Sequence, residues 1–425
     1  MINKTKIIKV LATINFILPF VGYQLVTTIF FTPQTELVDS GISQVVTIPY
    51  RAFALFVSLI VILLVNKSKI KRPLTPMIAL LIYWLILILR ITYDTQIKLA
   101  LVGYDTTQLW LFVFGICLPV VVSVYLSSEF IDYNKALYAI FTSFLIILII
   151  TLFNNQLLYT GAEELGRQDA NLALDTISYG HLGVSTFIIG LFIIKFRNNS
   201  LLIKIIIFLI SLLGIYSTLR SGSRGPVVSI FVVALFYIFS RQKKPLLGFV
   251  VLLLTFLALI VFLDNILNFF ESIAPIIATR LRETLYEGDS SYREIIYAAS
   301  FEKFLDAPLF GSQFAHFGRI AYQELETGFI YSHNIILDAL MGMGIFGGGL
   351  MMYILYSAIK RSYLNIKFEK SNFWISLLLI QSIVSHMFSS AFYYDPLLSA
   401  LLVVHFSTSN HTRKDNKNGI TSIKN

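Results

Sequence analysis

Long apolar runs dominate this chain, and short polar segments separate them. An α-helix of about 20 apolar residues crosses the hydrocarbon core of a membrane, because each residue adds about 1.5 Å along the helix axis. The pattern therefore predicts an all-α polytopic membrane protein with about twelve membrane-spanning helices. We place these spans at residues 8–30, 45–65, 74–91, 107–126, 137–153, 181–196, 201–219, 226–240, 246–269, 335–358, 373–387 and 391–406.

The composition excludes a single soluble core. Hydrophobic residues make up 56% of the chain and charged residues 13%, whereas soluble domains carry about 25% charged residues. Cys117 is the single cysteine, which excludes a disulfide framework and a cysteine-based metal site. It lies within a predicted span, where a small apolar side chain serves packing.

The basic residues predict the orientation of the spans. With the N-terminus inside, every inner loop is basic, and these loops hold 22 of the 33 lysines and arginines. Cytoplasmic loops of membrane proteins carry such an excess. We therefore expect both termini to be cytoplasmic. The net charge of +9 reflects this topology and does not indicate a nucleic-acid partner.

The outer face differs in the kind of basic residue that it carries. Nine of its eleven basic residues are arginine, whereas seventeen of the 22 inner ones are lysine. Arginine presents a rigid fork that binds phosphate or carboxylate through two hydrogen bonds. This sorting predicts an outward-facing site for an anionic group. The alternative for any one arginine is pairing with an outer acid or contact with lipid headgroups.

The polar segments predict the domain organisation. Residues 1–406 form one membrane domain with a large extracytoplasmic loop, 271–333, between the ninth and tenth spans, and 407–425 form a polar, disordered tail. Within the loop, residues 290–299 have helical periodicity, and Pro308 and Gly311 follow as helix-ending residues.

Two arginines occupy the turn between the seventh and eighth spans. Gly222 allows a tight turn, and Pro226 suits the first position of a helix. Arg224 then stands at a helix N-terminus, where free N–H groups and the helix dipole favour an anion. Arg220 lies across the turn. The motif predicts a diphosphate clamp; a plain hairpin with two interfacial arginines is the alternative.

A histidine motif lies at the end of the long loop. His333 and Asn334 precede the tenth span, and Asp338 follows about one helical turn later. An ionisable residue at the edge of a span is a functional candidate, and histidine can act as a general base or a neutral donor. The alternative is a helix-capping asparagine beside a structural histidine. His181 and His386 are weaker candidates at the same boundary.

Together these motifs resemble the O-antigen ligase and polymerase superfamily, which comprises Wzy-type polymerases and WaaL-type ligases. The order of the motifs and their topology carry the resemblance. The matching elements are the turn Ser223-Arg224-Gly225, a long loop with Arg293 and Pro308-Leu309-Phe310-Gly311, the following His333-Asn334 with Leu337 and Gly344, and the earlier loop element Gly166-Arg167.

The resemblance implies a GT-C-like helical fold and a glycosyltransferase activity. Such proteins transfer a glycan from undecaprenyl diphosphate to an acceptor hydroxyl at the outer side of the cytoplasmic membrane, without a metal ion or a cofactor. Direct displacement would invert the anomeric centre. The implied partners are an undecaprenyl-diphosphate-linked oligosaccharide, membrane lipid and a chain-length regulator protein, and the product is O-antigen or capsular polysaccharide.

The resemblance also implies roles for individual residues. Arginine neutralises the charge that develops on a leaving diphosphate, and a base or an orienting hydrogen bond serves the acceptor hydroxyl. We expect His333 and Arg224 to be catalytic. The residues expected to bind the diphosphate or the glycan are Arg220, Arg224, Arg167, Arg293 and Asn334. The reserve candidates for the base are Glu163, Glu164, Asp169 and Asp338.

Other functions remain open at this stage. A ligase shares the donor site with a polymerase, so these motifs do not separate the two, although we favour the polymerase. A peptidoglycan glycosyltransferase is a further enzyme alternative. A flippase or transporter would carry charges near mid-membrane and broken helices in paired halves. The nearly charge-free spans and the clustering of motifs at one boundary favour chemistry at the membrane surface.

Reporter fusions test the predicted orientation. A reporter inserted after Lys244 should be cytoplasmic, and one inserted between residues 271 and 333 should be external, because the lysine-rich loops are expected inside. Paired phosphatase and fluorescent-protein activities measure the side. Reversed signals would place Arg224 and His333 in the wrong compartment for a lipid-linked glycan.

Overall fold

The structure is a computed structural model of the chain. It describes residues 4–30, 40–65, 74–97, 107–153, 175–242, 293–314 and 331–407 and, with gaps between 249 and 274, residues 248–286. Within these ranges the regular secondary structure is helical throughout, which confirms the predicted all-α class.

We number the helices in chain order. They are α1 (Lys4–Phe30), α2 (Ser40–Leu64), α3 (Thr75–Ile97), α4 (Thr107–Phe112), α5 (Leu118–Ser127), α6 (Tyr133–Phe153), α7 (Thr176–Phe196), α8 (Leu201–Arg220), α9 (Arg224–Arg241), α10 (Leu263–Ile273), α11 (Pro275–Tyr286), α12 (Arg293–Asp306), α13 (Ile335–Lys367), α14 (Trp374–His386) and α15 (Pro396–Ser407). A π-helical segment, Val113–Cys117, joins α4 to α5.

Eight helices in the described ranges are long and apolar enough to cross a membrane, and three more apolar helices are shorter. The long ones are α1, α3, the segment Leu109–Ser127, α6, α7, α8, α9 and α13; the shorter ones are Ile48–Leu64, α14 and α15. These helices confirm a multi-pass membrane protein. The predicted ninth span, 246–269, and the predicted tail lie partly or wholly outside the described residues, so twelve spans and cytoplasmic termini stay predictions.

Contacts at one end of the bundle align three helices that carry predicted motifs. The ring of Phe373, just before α14, stacks on Tyr237 near the end of α9, with centroids 6.2 Å apart. Arg241, the last residue of α9, donates to the carbonyl oxygen of Lys367, the last residue of α13, over 3.4 Å. The amino ends of α9 and α13 and the carboxyl end of α14 therefore share the opposite end of the bundle.

Helix α13 is broken one-third of the way along. Gly344 has φ 63° and ψ −159°, which interrupts the helix, and its missing side chain lets the backbone of Leu309 approach closely. The Pro308 carbonyl accepts from the N–H of Ile345 over 2.8 Å, and the Met341 carbonyl accepts from the N–H of Ser312 over 2.9 Å. Backbone groups in a membrane must be satisfied within the protein, so the loop turn completes the broken helix.

An ion pair on α3 fixes the segment that follows this turn. Arg90 Nε lies 2.9 Å from Asp94 Oδ2, and the guanidinium also donates to the carbonyl oxygens of Gly311 and Ser312. Asp94 is fully buried and accepts from the N–H of Phe314 over 2.8 Å. Arg90 is one of the arginines that the predicted topology places on the outer face, and in the structure it links the loop to the membrane domain.

Paired glycine substitutions test the break in α13. Gly344→Ala should destabilise the protein by roughly 2–6 kcal/mol, because its φ and ψ suit glycine alone and because an added Cβ would overlap the Leu309 carbonyl. Gly349→Ala is the control on the same helix: an added Cβ there meets no described atom within 4 Å, and alanine favours the helix. Thermal unfolding of the purified protein measures both. Equal melting temperatures for the two variants would contradict the assigned role of the break.

Candidate functional site

The arginine turn has the tight geometry that its sequence predicts. Helix α8 ends at Arg220 and α9 begins at Arg224; between them Gly222 adopts φ 63° and donates to the Leu219 carbonyl over 3.2 Å. Pro226 is the third residue of α9, not the first as predicted. Its missing N–H still falls in the first turn, where N–H groups have no intrahelical partner. Arg224 therefore is the first residue of α9, at the positive end of the helix dipole.

Arg220 is held in a partly apolar setting. Its guanidinium lies 6.0 Å from the ring of Tyr216, and its Nη1 atom is buried without a hydrogen-bond partner in the described part of the chain. A buried donor that lacks a partner is unfavourable by about 1–3 kcal/mol. An anionic oxygen placed here would accept a hydrogen bond from Nη1 without competition from water.

Helix α11 from the long loop packs against the arginine turn. Val227 of α9 and Ile277 of α11 form a buried pair, and Leu219 and Leu281 pack around it. The neighbouring Arg282 lies 3.3 Å from Glu271, so this outer-face arginine forms the acid pair that the sequence left open as an alternative. The loop is thereby anchored beside Arg220 and Arg224.

His333 ends the loop in a backbone conformation that residues other than glycine rarely adopt. His333 has φ 56°, and its ring centroid lies 4.5 Å from that of Tyr331. A left-handed conformation costs a residue other than glycine about 1–2 kcal/mol. Such backbone strain concentrates at functional sites, where the surrounding structure enforces it.

The electrostatic setting keeps His333 neutral. Burial lowers the pKa of His333 from 6.5 to about 4, and the positive charge of Arg293 acts in the same direction. At neutral pH the imidazole is therefore uncharged and can accept a proton or a hydrogen bond. The structure thus brings together two residues that the sequence singled out separately.

Helix α12 positions Arg293. It spans Arg293–Asp306, which confirms the helix predicted from residues 290–299. The Arg293 guanidinium lies 5.9 Å from the ring of Phe388, and Tyr297 donates to the Met387 carbonyl over 3.4 Å. Both contacts hold α12 against the chain just after α14, and the turn at Pro308 fixes its other end.

Asn334 and Asp338 shape the histidine loop. Asn334 Oδ1 accepts from the N–H groups of Ile336 and Leu337 over 3.0 and 3.2 Å, so it caps α13. Asp338 is buried, and its Oδ1 accepts from the N–H of Ser332 over 2.7 Å. The structural alternative considered for Asn334 is therefore present, and Asp338 acts on the loop backbone. A role of either residue in substrate binding or catalysis stays a prediction.

The candidate residues of the earlier loop, Arg167, Glu163, Glu164 and Asp169, lie outside the described residues. His181, the first weaker histidine candidate, lies near the start of α7 and lines the cavity described next. The last turn of α8 is tied to α7, since Thr218 Oγ1 donates to the Gly180 carbonyl over 3.2 Å. This contact brings His181 to the same end of the bundle as the arginine turn.

A cavity of 580 Å³ opens at this end of the bundle. The described residues that line it include Tyr23, Arg51, Asp175, His181, Tyr331 and Gln381, and do not include His333 or the arginines of the predicted site. Tyr331 connects the two regions, because it lines the cavity and contacts His333. In the sequence, only the arginine type of Arg51 and the weaker candidate His181 point to residues of this cavity.

A second polar pair borders the cavity. Asp395, a lining residue, has Oδ2 3.1 Å from Nε2 of His386, whose Nδ1 lies 2.8 Å from the Ser382 carbonyl oxygen. Asp395 Oδ1 also accepts from the N–H of Leu397 over 2.6 Å and so caps α15. The sequence indicated His386 as a weaker candidate but did not indicate Asp395. The polar break between α14 and α15 is too weak to mark Asp395 as a helix-capping residue.

In a comparison with protein-family models, residues 206–354 match the family described as Wzy_C, O-Antigen ligase. The matched segment runs from α8 into α13 and contains Arg220, Arg224, Arg293 and His333. It confirms over that segment the resemblance predicted from the motifs, while Gly166-Arg167 lies outside it. Comparisons with curated proteins and with solved structures give no match.

The lowered pKa of His333 predicts the pH dependence of turnover. The imidazole loses its proton near pH 4. Protonation of His333 should therefore cause no fall in kcat/KM between pH 8 and pH 5. Arg293→Gln removes a neighbouring positive charge, so the pKa of His333 should rise toward 6.5 and the acid limb should move to higher pH. Initial rates of glycan transfer across this range measure the profile. His333→Gln should lack the limb, and a wild-type limb near pH 6.5 would contradict the assignment.

Proposed function

From the match of residues 206–354 to the O-antigen ligase family, we propose that the protein is a membrane glycosyltransferase that acts on undecaprenyl-diphosphate-linked glycans. The family fits an O-antigen ligase or polymerase. Membrane helices that carry the matched segment support a lipid-linked substrate, which would reach the site from the bilayer. The active site faces the outer side of a bacterial cytoplasmic membrane in this proposal.

One observation carries the proposal: a neutral, strained histidine lies beside an arginine, at the bundle end that also holds the arginine turn. The diphosphate of the donor would bind Arg220, Arg224 and Arg293, which can donate paired hydrogen bonds to phosphate oxygens. His333 would receive the proton of the acceptor hydroxyl. Cations and base are the two groups that glycosyl transfer from a diphosphate requires.

The reaction follows from these positions. The acceptor oxygen forms a bond to the anomeric carbon while the bond from that carbon to the diphosphate oxygen breaks. The electron pair of the broken bond passes to the diphosphate, where the arginines stabilise the developing charge. The hydroxyl proton passes to His333. A single displacement of this kind inverts the anomeric centre.

Donor binding would also tune the base. His333 is a weak base in the free protein, partly because Arg293 disfavours its charged form. A bound diphosphate brings negative charge to the arginines, and an opposite charge nearby favours the imidazolium. The pKa of His333 should therefore rise when the donor binds. The histidine becomes an effective proton acceptor only when the substrate is in place.

Among the family activities we favour polymerisation of repeat units into O-antigen or capsular polysaccharide, with a chain-length regulator as partner. Ligation of a glycan to a lipid A-core or another acceptor uses the same donor site and is the alternative. Genes for a flippase and sugar transferases beside this one would favour the polymerase, whereas a lipopolysaccharide-core operon would favour the ligase.

The broken helix α13 does not favour a transporter. A transporter's broken helices leave backbone groups that coordinate a substrate or an ion. Here the N–H of Ile345 and the carbonyl of Met341, which flank the break, bond to the loop turn at Pro308 and Ser312. The break anchors a loop, so its backbone groups are already occupied.

Substitution of Arg224 tests the proposed function. Arg224→Ala should abolish long glycan chains at normal protein abundance and should weaken binding of undecaprenyl diphosphate. Arg224→Lys should restore little activity, because one ammonium group cannot reproduce the paired hydrogen bonds. Arg282→Ala is the matched control at the same end of the bundle, since Arg282 pairs with Glu271. Gel analysis of glycan chains and binding of the lipid to purified protein give the two measurements.

The histidine separates chemistry from binding in the same assays. His333→Ala should lower turnover by roughly two to four orders of magnitude, as expected for a lost general base, and should keep donor binding. Near-normal polymer from His333→Gln would leave His333 an orienting role only. Full activity of Arg224→Ala would remove the arginine turn from the site.

A further inference from the structure

The cavity beside His333 has the size and lining of a ligand site that the proposed chemistry does not yet use. Its volume of 580 Å³ lies within the range of about 300–1,000 Å³ that is usual for small-molecule sites. Residues from α1, α2, α7 and α14 and from the segment after α14 line it. It is therefore a built space between packed helices, at the end of the bundle that carries the motifs.

The charges around the cavity argue against a diphosphate or a lipid tail as its occupant. Arg51 lies over the Phe112 ring at 3.8 Å, and two carboxylates, Asp175 and Asp395, also line the space. The carboxylates would repel an anionic group. A polyprenyl chain would leave the charged side chains in this mixed polar and apolar lining without polar contacts from the ligand. A neutral ligand with many hydroxyl groups is compatible with both features.

Polar atoms that face the cavity have unused hydrogen-bonding capacity. Gln24 Oε1 and His181 Nδ1 are buried and lack a hydrogen-bond partner in the described ranges, and both residues line the cavity. Serine hydroxyls and the rings of Tyr23, Tyr50 and Tyr331 line it as well. Sugar hydroxyls both donate and accept hydrogen bonds, and the apolar faces of sugar rings pack on aromatic rings. The lining thus offers both kinds of contact that a saccharide needs.

The position of the cavity identifies which saccharide would occupy it. Tyr331 lines the cavity and its ring lies 4.5 Å from that of His333, while Arg293 acts electrostatically on the same histidine. In the proposed reaction Arg293 holds the donor diphosphate. A glycan in the cavity would then direct a hydroxyl past Tyr331 toward His333, as the acceptor must.

The extent of the family match separates the two parts of the site. Arg220, Arg224 and Arg293, which the proposed function assigns to the donor diphosphate, fall within residues 206–354, whereas the further sequence candidate Arg167 lies outside them. Of the residues that line the cavity in the described ranges, Tyr331 alone falls within the match. The three proposed diphosphate arginines thus lie in the matched segment, and the cavity lies almost wholly outside it.

We propose that this cavity is the binding site for the acceptor glycan, and that Gln24 and His181 donate to or accept from its hydroxyl groups. The proposal rests on the proposed function and adds the substrate class and the specificity site. In this proposal, residues on α1, α2, α7 and α14 determine which sugar the protein accepts, and the arginine turn does not.

Two leucine substitutions test the proposal in the full-length protein in lipid nanodiscs. Gln24→Leu and His181→Leu each remove a buried polar atom that lacks a partner, so thermal stability should be unchanged or higher. The probe is the lipid-free oligosaccharide repeat unit that mild acid releases from the lipid-linked precursors of the host bacterium. Each variant should bind this probe roughly 3- to 10-fold more weakly, as expected for one lost hydrogen bond. Saturation-transfer NMR and calorimetry measure the binding.

A matched control separates ligand binding from packing. Ser362→Ala removes another fully buried polar atom without a partner in the described chain, on α13 and outside the cavity lining. It should leave oligosaccharide binding unchanged. Unaltered binding in both leucine variants, or no binding by the wild-type protein at millimolar probe, would overturn the cavity assignment.

A second probe, undecaprenyl diphosphate without a glycan, distinguishes this failure from failure of the proposed function. The leucine variants should bind it like the wild type, whereas Arg224→Ala should bind it more weakly. If Arg224→Ala binds it like the wild type, the proposed donor site is wrong. If Arg224 behaves as expected and the leucine variants retain the oligosaccharide, only the cavity assignment is wrong.

Discussion

The need to satisfy backbone polar groups inside a membrane governs this structure. Helix α13 breaks at Gly344, and the loop turn at Pro308 supplies the hydrogen bond that the broken helix lacks. The Arg90–Asp94 pair then fixes the loop segment Gly311–Phe314, which follows this turn. Since α12 runs directly into this turn, the same contacts fix the position of Arg293 relative to the start of α13. The geometry of the site depends on this docking.

His333 occupies a small region in which structural and chemical tasks are divided. Asn334 caps α13, and Asp338 binds the backbone N–H of Ser332. These bonds hold the loop in the conformation that gives His333 a positive φ. The side chains of Asn334 and Asp338 thus bind backbone N–H groups, while burial and Arg293 keep the His333 imidazole neutral. A neutral imidazole is the form that the proposed proton acceptor requires.

Charge is sorted between two neighbouring regions of the site. Arg220 and Arg224 flank a helix N-terminus, where the helix dipole adds to their positive field. The cavity beyond Tyr331 combines Arg51 with two carboxylates and many hydroxyl groups. One region therefore suits a diphosphate and the other a sugar. A lipid-linked glycan and its acceptor present these two chemistries at the point where they react.

The sequence by itself determined the features that depend on neighbouring residues: the apolar spans, the helix now seen at Arg293–Asp306, the turn at Gly222 and the grouping of the motifs at one boundary. Hydrophobic periodicity, turn residues and charge act over one or two helical turns, so local pattern reveals them. Only the tertiary structure decided the break at Gly344, the role of Arg90 and the cavity around Arg51. Arg90 meets Gly311 across 221 positions of sequence, and a contact between such distant residues leaves no periodic signal in either segment. The stabilisation from such a contact arises only when folding brings the two segments together.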